Sequence, residues 1–302
     1  VTITMEHIDN LLQYFGTPLQ SDSILQQYTG TVDMDNYLSK MVRWHGLYDD
    51  YWTWDTVLGV WWGDHAIDFM GKVGARVWEN YEYAWARQYD PAKWQAIKDN
   101  SDNIHNIYPD LMLGGFVMEA VGKTSTENTP IPNKLWCWMI RHTREIAMRP
   151  MQVKVVNGIR RTNRFFDYDI MLGQGVDNWG TDVSVPNPNK QEGMMYYLYL
   201  TKEMISAGMN FISFAQPHLT FGQFNTADGI TLQMITKFAK NYGYSNDTYQ
   251  LDGKGFVMVG ANTVIYYLKN YCQYVDLVIS PAGANAIGTG QTWSNLADSY
   301  SK

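Results

Sequence analysis

Long apolar runs are missing from this sequence. No stretch of about 18 uncharged apolar residues occurs, so no membrane-spanning helix is expected. Charge is also scarce: Asp, Glu, Lys and Arg make up 18% of the 302 residues. The balance is acidic, with a formal net charge of −7. The one dense basic run is Arg160, Arg161 and Arg164. Phosphate backbones need more clustered Lys and Arg than that, which argues against nucleic acid as a partner. Those arginines are instead expected to pair with nearby carboxylates. Cysteine is limited to Cys137 and Cys272, too far apart for a local redox or zinc motif. They are compatible with a disulfide or with two buried thiols. The His residues, at 7, 45, 65, 105, 142 and 218, show no H-x-x-x-H or H-E-x-x-H spacing. No metal site is therefore expected. There is no G-x-G-x-x-G, no G-x-x-x-x-G-K-[ST] and no G-x-S-x-G, so no nucleotide cofactor and no elbow serine is expected.

What the chain has in excess is aromatic rings. Twelve Trp, 21 Tyr and 11 Phe make up 15% of it. Part of any such excess fills the core. Several rings nevertheless sit in polar company: Tyr48-Asp49-Asp50-Tyr51-Trp52, Trp61-Trp62-Gly63-Asp64-His65 and Trp78-Glu79-Asn80-Tyr81. A sugar ring stacks its apolar face on an aromatic and gives its hydroxyls to Asp, Glu, Asn and Gln. Carbohydrate is accordingly the expected partner.

Along the chain, residues 1–40 read as helical and polar, with Asp22 or Ser23, then Asp33 or Asp35, as candidate caps. An alternation follows. Apolar strands are expected at 41–50, 57–65, 72–83 and 110–122, with a helix at 91–108 opened by Pro91. A helix over 128–148 precedes a hairpin around Asn157-Gly158. A Pro/Asn linker at 183–190 feeds a largely buried helix over 190–207, which Gly208 should end in a left-handed conformation. Further strands are expected at 209–216, 254–262 and 275–283, with a helix at 232–244. Strands that are apolar on both faces and separated by helices indicate a parallel sheet. Polar residues gather just after them: Asp49 and Asp50, Glu79, Glu119, Gln216 and His218, and Asn262. The chain length and this pattern predict a single (β/α)8 TIM-type barrel over 1–302, irregular or incomplete at its C-terminus, with its chemistry at the strand C-termini.

Acid/base hydrolysis of a glycosidic bond needs two carboxyl groups flanking it. Glu119 is the first candidate, because its apolar strand DLMLGGFVM would desolvate it and raise its pKa toward that of a useful acid. The bland alternative is a structural carboxylate paired with Arg76, Arg164 or a helix N-terminus. Glu79, Asp169 and Asp50 are the candidate partners. Asp167 and Asp169 alternate as a strand would. Trp52, Trp62, Trp78, Trp179 and Tyr81 are candidate sugar platforms, and Gln216, His218 and Glu192 are candidate hydrogen-bonding groups. For Glu192 the competing role is to stabilise a helix N-terminus.

Several pieces occur in a telling order: Phe116–Glu119 as F-x-x-E, Ile131-Pro132, then Phe166–Leu172 as F-x-Y-D-x-M-L. Trp179-Gly180, Val185-Pro186, Glu192–Tyr197 as E-x-x-M-Y-Y and Ala207–Gln216 follow. Over roughly residues 40–262 this order resembles a group of poorly characterised bacterial (β/α)8-barrel proteins, similar in layout to glycoside hydrolases. The resemblance implies a barrel and a carbohydrate ligand, with Glu119, Glu192 and Gln216 at marked positions. The Asn-Glu pair of the largest glycosidase clan is missing, since Glu119 follows Met118. The chain starts at Val1, so a trimmed leader and a secreted or cell-surface location are expected. The expected function is cleavage of an extracellular glycan by paired carboxylates. The alternative is a non-catalytic carbohydrate-binding or surface-structural protein on the same scaffold.

Overall fold

A computed structural model of the chain describes residues 3–20, 41–42, 54–55, 60–84, 91–117, 120–143, 149–156, 158–173, 175–215, 228–245, 250–251, 254–255, 258–262 and 275–279. Its spine is a parallel sheet. The strands are β1 (Met41–Val42), β4 (Val77–Ala84), β5 (Met112–Val117), β10 (Phe211–Ala215), β13 (Met258–Asn262) and β14 (Leu277–Ile279). They lie side by side in that order, and every neighbouring pair is parallel. The other strands form four separate antiparallel pairs: β2 (Trp54–Asp55) with β3 (Val60–Trp61), β6 (Val121–Gly122) with β9 (Val183–Ser184), β7 (Gln152–Val156) with β8 (Ile159–Asn163), and β11 (Gln250–Leu251) with β12 (Lys254–Gly255).

The expected (β/α)8 barrel is therefore corrected. Among the described residues the parallel sheet has six strands, its edge strands β1 and β14 do not pair with each other, and no eightfold closure exists. Apolar strands buried on both faces look the same in an open sheet and in a barrel. Closure depends on strand tilt and stagger, which an apolar pattern does not carry.

The helices are α1 (Met5–Phe15), α2 (Trp62–Lys72), α3 (Pro91–Ile107), α4 (Lys123–Glu127), α5 (Asn133–Thr143), α6 (Tyr168–Met171), α7 (Gln191–Ser206) and α8 (Asp228–Tyr244). Helix α7 packs on β5 and β10 and is flanked by α3 and α8. It is apolar nearly all round, with every residue from Glu192 to Thr201 buried, as a helix enclosed by neighbours should be. It ends where expected, at Gly208 with φ 93°. Side chains alternate across a strand, so Leu113, Gly115 and Val117 share one face of β5. A Cβ on Gly115 would stand 2.6 Å from Met204 Sδ and 2.8 Å from Met209 Sδ, which makes this the face toward α7. Ile212 and Phe214 of β10 lie in register with it. The opposite face carries Met112, Phe116 and Phe211, also buried.

Helix α1 begins with a capping box between Thr4 and His7 and buries Ile8, Leu11 and Leu12. It packs on α5 and α8. Asp9 pairs with Lys237 at 2.7 Å, and Trp138 Nε1 donates to the His7 carbonyl at 2.9 Å. The candidate caps between 21 and 40 lie outside the described residues.

Two local expectations are also corrected. Residues 62–65 open helix α2 instead of ending a strand, so Asp64 and His65 sit in its first turns. Asp167 and Asp169 do not alternate along a strand. Asp167 is the N-cap of α6, accepting from Ile170 N, and Asp169 lies in that helix's first turn.

Candidate functional site

Strand β4 carries the irregularity of the sheet. Val77 and Trp78 face Met112 and Leu113, but the next matched pair is Glu82 with Gly115. Residues 79–81 of β4 thus stand against Gly114 alone, which makes a bulge. The backbone of Glu79 is pressed onto Gly114: a Cβ there would be 1.9 Å from the Glu79 carbonyl oxygen. Only glycine fits beneath it.

The bulge brings two carboxylates inside. Glu79 is 1% exposed and Glu82 0%, and both are engaged by neighbouring groups. Burying a carboxylate is costly, and two on one strand make the site expensive to keep. Ser213 of β10 is fully buried and its Oγ makes no hydrogen bond. Its register partners are Phe116 and Gly260, so alternation puts it on the face where Glu79 covers Gly114. Glu82 is in register with Gly115 and so belongs to the face toward α7, opposite to Ser213. The bulge thus carries two buried carboxylates three residues apart on one strand.

The C-terminal edge of the sheet is set by a single row, Ala84, Val117, Phe214 and Ala261. Glu119, Gln216 and His218 follow β5 and β10 by a few residues and lie outside the described residues, as do Asp49, Asp50 and Trp52. Trp62 opens α2, but its side chain is outside the description. Within the sequence fragment DLMLGGFVM, Met112–Val117 forms a wholly buried strand.

The remaining candidates are distributed elsewhere. Trp78 and Tyr81 are core residues and line no open surface: both are 0% exposed, and their rings meet edge-on at 5.3 Å. Tyr81 Oη donates to the Ile97 carbonyl and accepts from Ser101 Oγ. Trp179 is partly exposed in the turn after Gly175. Glu192 is 1% exposed and gripped by the Arg149 fork, Nη1 to Oε1 at 2.8 Å and Nη2 to Oε2 at 3.1 Å. Its Oε1 also accepts from Asp167 N at 2.8 Å. Asp169 lies on the surface, paired with Lys123 at 2.9 Å. That hydrogen bond holds the Lys123 ammonium above its usual pKa.

Sequence reasoning missed Arg149, Trp136, Ser213 and the burial of Glu82. Arg149 and Arg164 both lie over the Trp136 ring, at 5.6 and 5.1 Å from its centroid. The Glu192 carboxylate is taken by Arg149, outside the basic run. Arg164 donates to the Arg149 carbonyl, and Arg76 pairs with Asp110. A single Arg before Pro150 carries no pattern that would mark it. Cys137 is an exposed, unpaired thiol, and Cys272 is outside the described residues. Among the described residues no group of three His, Cys, Asp or Glu is arranged to hold a metal ion, and no helix is long and apolar enough to cross a membrane.

Compared with known proteins, the sequence matches no family model and no curated protein.

Proposed function

We propose that this protein is a glycoside hydrolase-like enzyme that cleaves an extracytoplasmic glycan by carboxylate acid/base chemistry. The observation that carries the reading is the bulge in β4, a strand of the parallel sheet on which Glu79 and Glu82 are both buried. Bulges recur next to active sites because they re-aim side chains. Acid/base cleavage of a glycosidic bond requires a pair of carboxyl groups. Glu119, two residues past the end of β5, is the third carboxylate of the proposal on sequence alone.

The test is a glycan-library hydrolysis screen with the wild type and with Glu79→Gln, Glu82→Gln and Glu119→Gln. Loss of a general acid or base lowers turnover by about 10²–10⁴-fold. The reading expects such a loss in two of the three variants, with melting temperatures retained. Turnover unchanged in all three, or no glycan hydrolysed by the wild type, would sink it. A second reading has its own support: Glu192 is consumed by Arg149, and Trp78 and Tyr81 serve the core. Those structural uses remove three candidate sugar contacts and favour a non-catalytic structural protein, and a folded wild type that hydrolyses no glycan would select it.

A further inference from the structure

Two neighbouring segments of the chain have opposite charge. From Arg149 to Arg164 every charged residue is a base: Arg149, Lys154, Arg160, Arg161 and Arg164. From Phe165 to Asp182 every charged residue is an acid: Asp167, Asp169, Asp177 and Asp182. Each segment also exposes aliphatic side chains.

In the β7–β8 hairpin, Val153 stands opposite Thr162 and Val155 opposite Arg160, so these four share one face. Lys154 and Arg161 share the other. Lys154 donates to the Glu127 carbonyl and lies 4.7 Å from the Phe165 ring centroid, which turns its face inward. The outward face is where polar residues belong on a half-solvated ribbon. Here it presents Val153 at 54% and Val155 at 69% exposure. In the acidic segment Ile170 is 52% and Val176 53% exposed.

The two segments are linked through the inward side of the hairpin: Lys154 donates to the Glu127 carbonyl, and the Glu127 carboxylate lies 3.9 Å from Lys123 Nζ, which in turn holds Asp169. A basic apolar patch beside an acidic apolar patch is self-complementary under a twofold axis: each patch meets the other patch of the second copy. We infer that the protein forms a twofold homodimer in which the β7–β8 hairpin of each copy docks on the 165–182 segment of its partner. The aliphatic side chains are covered, and Arg160 meets the aspartates. A hairpin-to-hairpin pairing would set like charges against each other and is disfavoured.

The test is sedimentation velocity on the full chain and on two double variants. Arg160→Glu with Val155→Glu reverses the hairpin. Asp169→Lys with Val176→Lys reverses the acidic segment and leaves Asp177 and Asp182, both at φ 61°, undisturbed. The wild type should be a dimer whose dissociation constant weakens at least tenfold in high salt, where exposed charges are screened. Each variant alone should be monomeric, and the two mixed should form a heterodimer, because reversed patches complement each other. That rescue also shows that both variants are folded. A wild type that stays monomeric, a dimer that survives either reversal, or a mixture that stays monomeric would overturn the proposal. So would a monomer that co-sediments with anionic phospholipid vesicles through Arg160 and Val155, which would make the hairpin a membrane contact.

Discussion

At the scale of single residues, most polar groups found buried here hold the fold. Arg149 is the clearest case, since its fork satisfies both oxygens of Glu192 and its Nη1 also donates to the Phe165 carbonyl at 2.6 Å. Removing one partner of such a pair strands the other charge, at a cost of about 3–5 kcal/mol. Glu192→Ala should therefore lower the urea midpoint sharply, while Glu192→Met combined with Arg149→Met should recover much of the loss. A midpoint unmoved by the single change would refute the structural role. His105 gives a pH dependence. Burial lowers its pKa from 6.5 to about 4, opposed by a hydrogen bond to the Leu111 carbonyl and by Asp102. The unfolded chain then binds the proton at higher pH than the folded one, so stability falls as pH drops from 6.5 toward 4. The loss amounts to as much as about 3 kcal/mol, taking 1.36 kcal/mol per unit. Denaturation of wild type and His105→Gln at pH 7 and pH 4.5 checks this: the wild type should lose more stability between the two, and equal losses would exclude His105 as the cause.

At the scale of elements, the sequence was legible where periodicity is strong and illegible where geometry decides. The helix at 91–107, the buried helix ending before Gly208, the hairpin before Gly158 and the strand 112–117 were all readable from apolar spacing and turn residues. The bulge in β4 was not, because no residue pattern announces that three residues will stand against one. Its sign was indirect: paired glycines in the partner strand, Gly114 and Gly115, each too close to a neighbour to carry a side chain. Gly114→Ala should force Glu79 off its seat, since 1.9 Å is far inside contact distance. Overpacking of this kind typically costs about 1–3 kcal/mol, and backbone contact adds to it. Calorimetry should show a lowered melting temperature, and on the proposed function glycan turnover should fall as well. A wild-type melting curve would mean that the bulge relaxes freely. The start of α2 was misread because Val60, Trp61 and Trp62 form a continuous apolar run, which periodicity cannot divide between strand and helix.

At the scale of the whole molecule, the barrel was misjudged although most of its parts were not. Parallel order, buried strands and intervening helices were all readable, whereas closure is a property of tilt and stagger. The candidate site was legible as carboxylates in an aromatic setting. It was not legible which rings would turn inward, because Trp78 and Tyr81 have polar neighbours in sequence, but in space Tyr81 meets α3 and Trp78 packs on Tyr81. A chain beginning at residue 21 would uncover the α5 and α8 surfaces that Ile8, Leu11 and Leu12 fill. It should lose cooperative unfolding or melt well below the full chain; an unchanged melt would show that α1 is dispensable. The docking of α1 also bears on how the protein is made. On the ribosome α1 emerges well before α8, which forms part of its seat more than two hundred residues downstream. The sheet can grow edge by edge in the order of synthesis, while α1 must wait unlatched until α8 has been made. The amphipathic face of α1 is thus open to a nascent-chain chaperone for that whole interval.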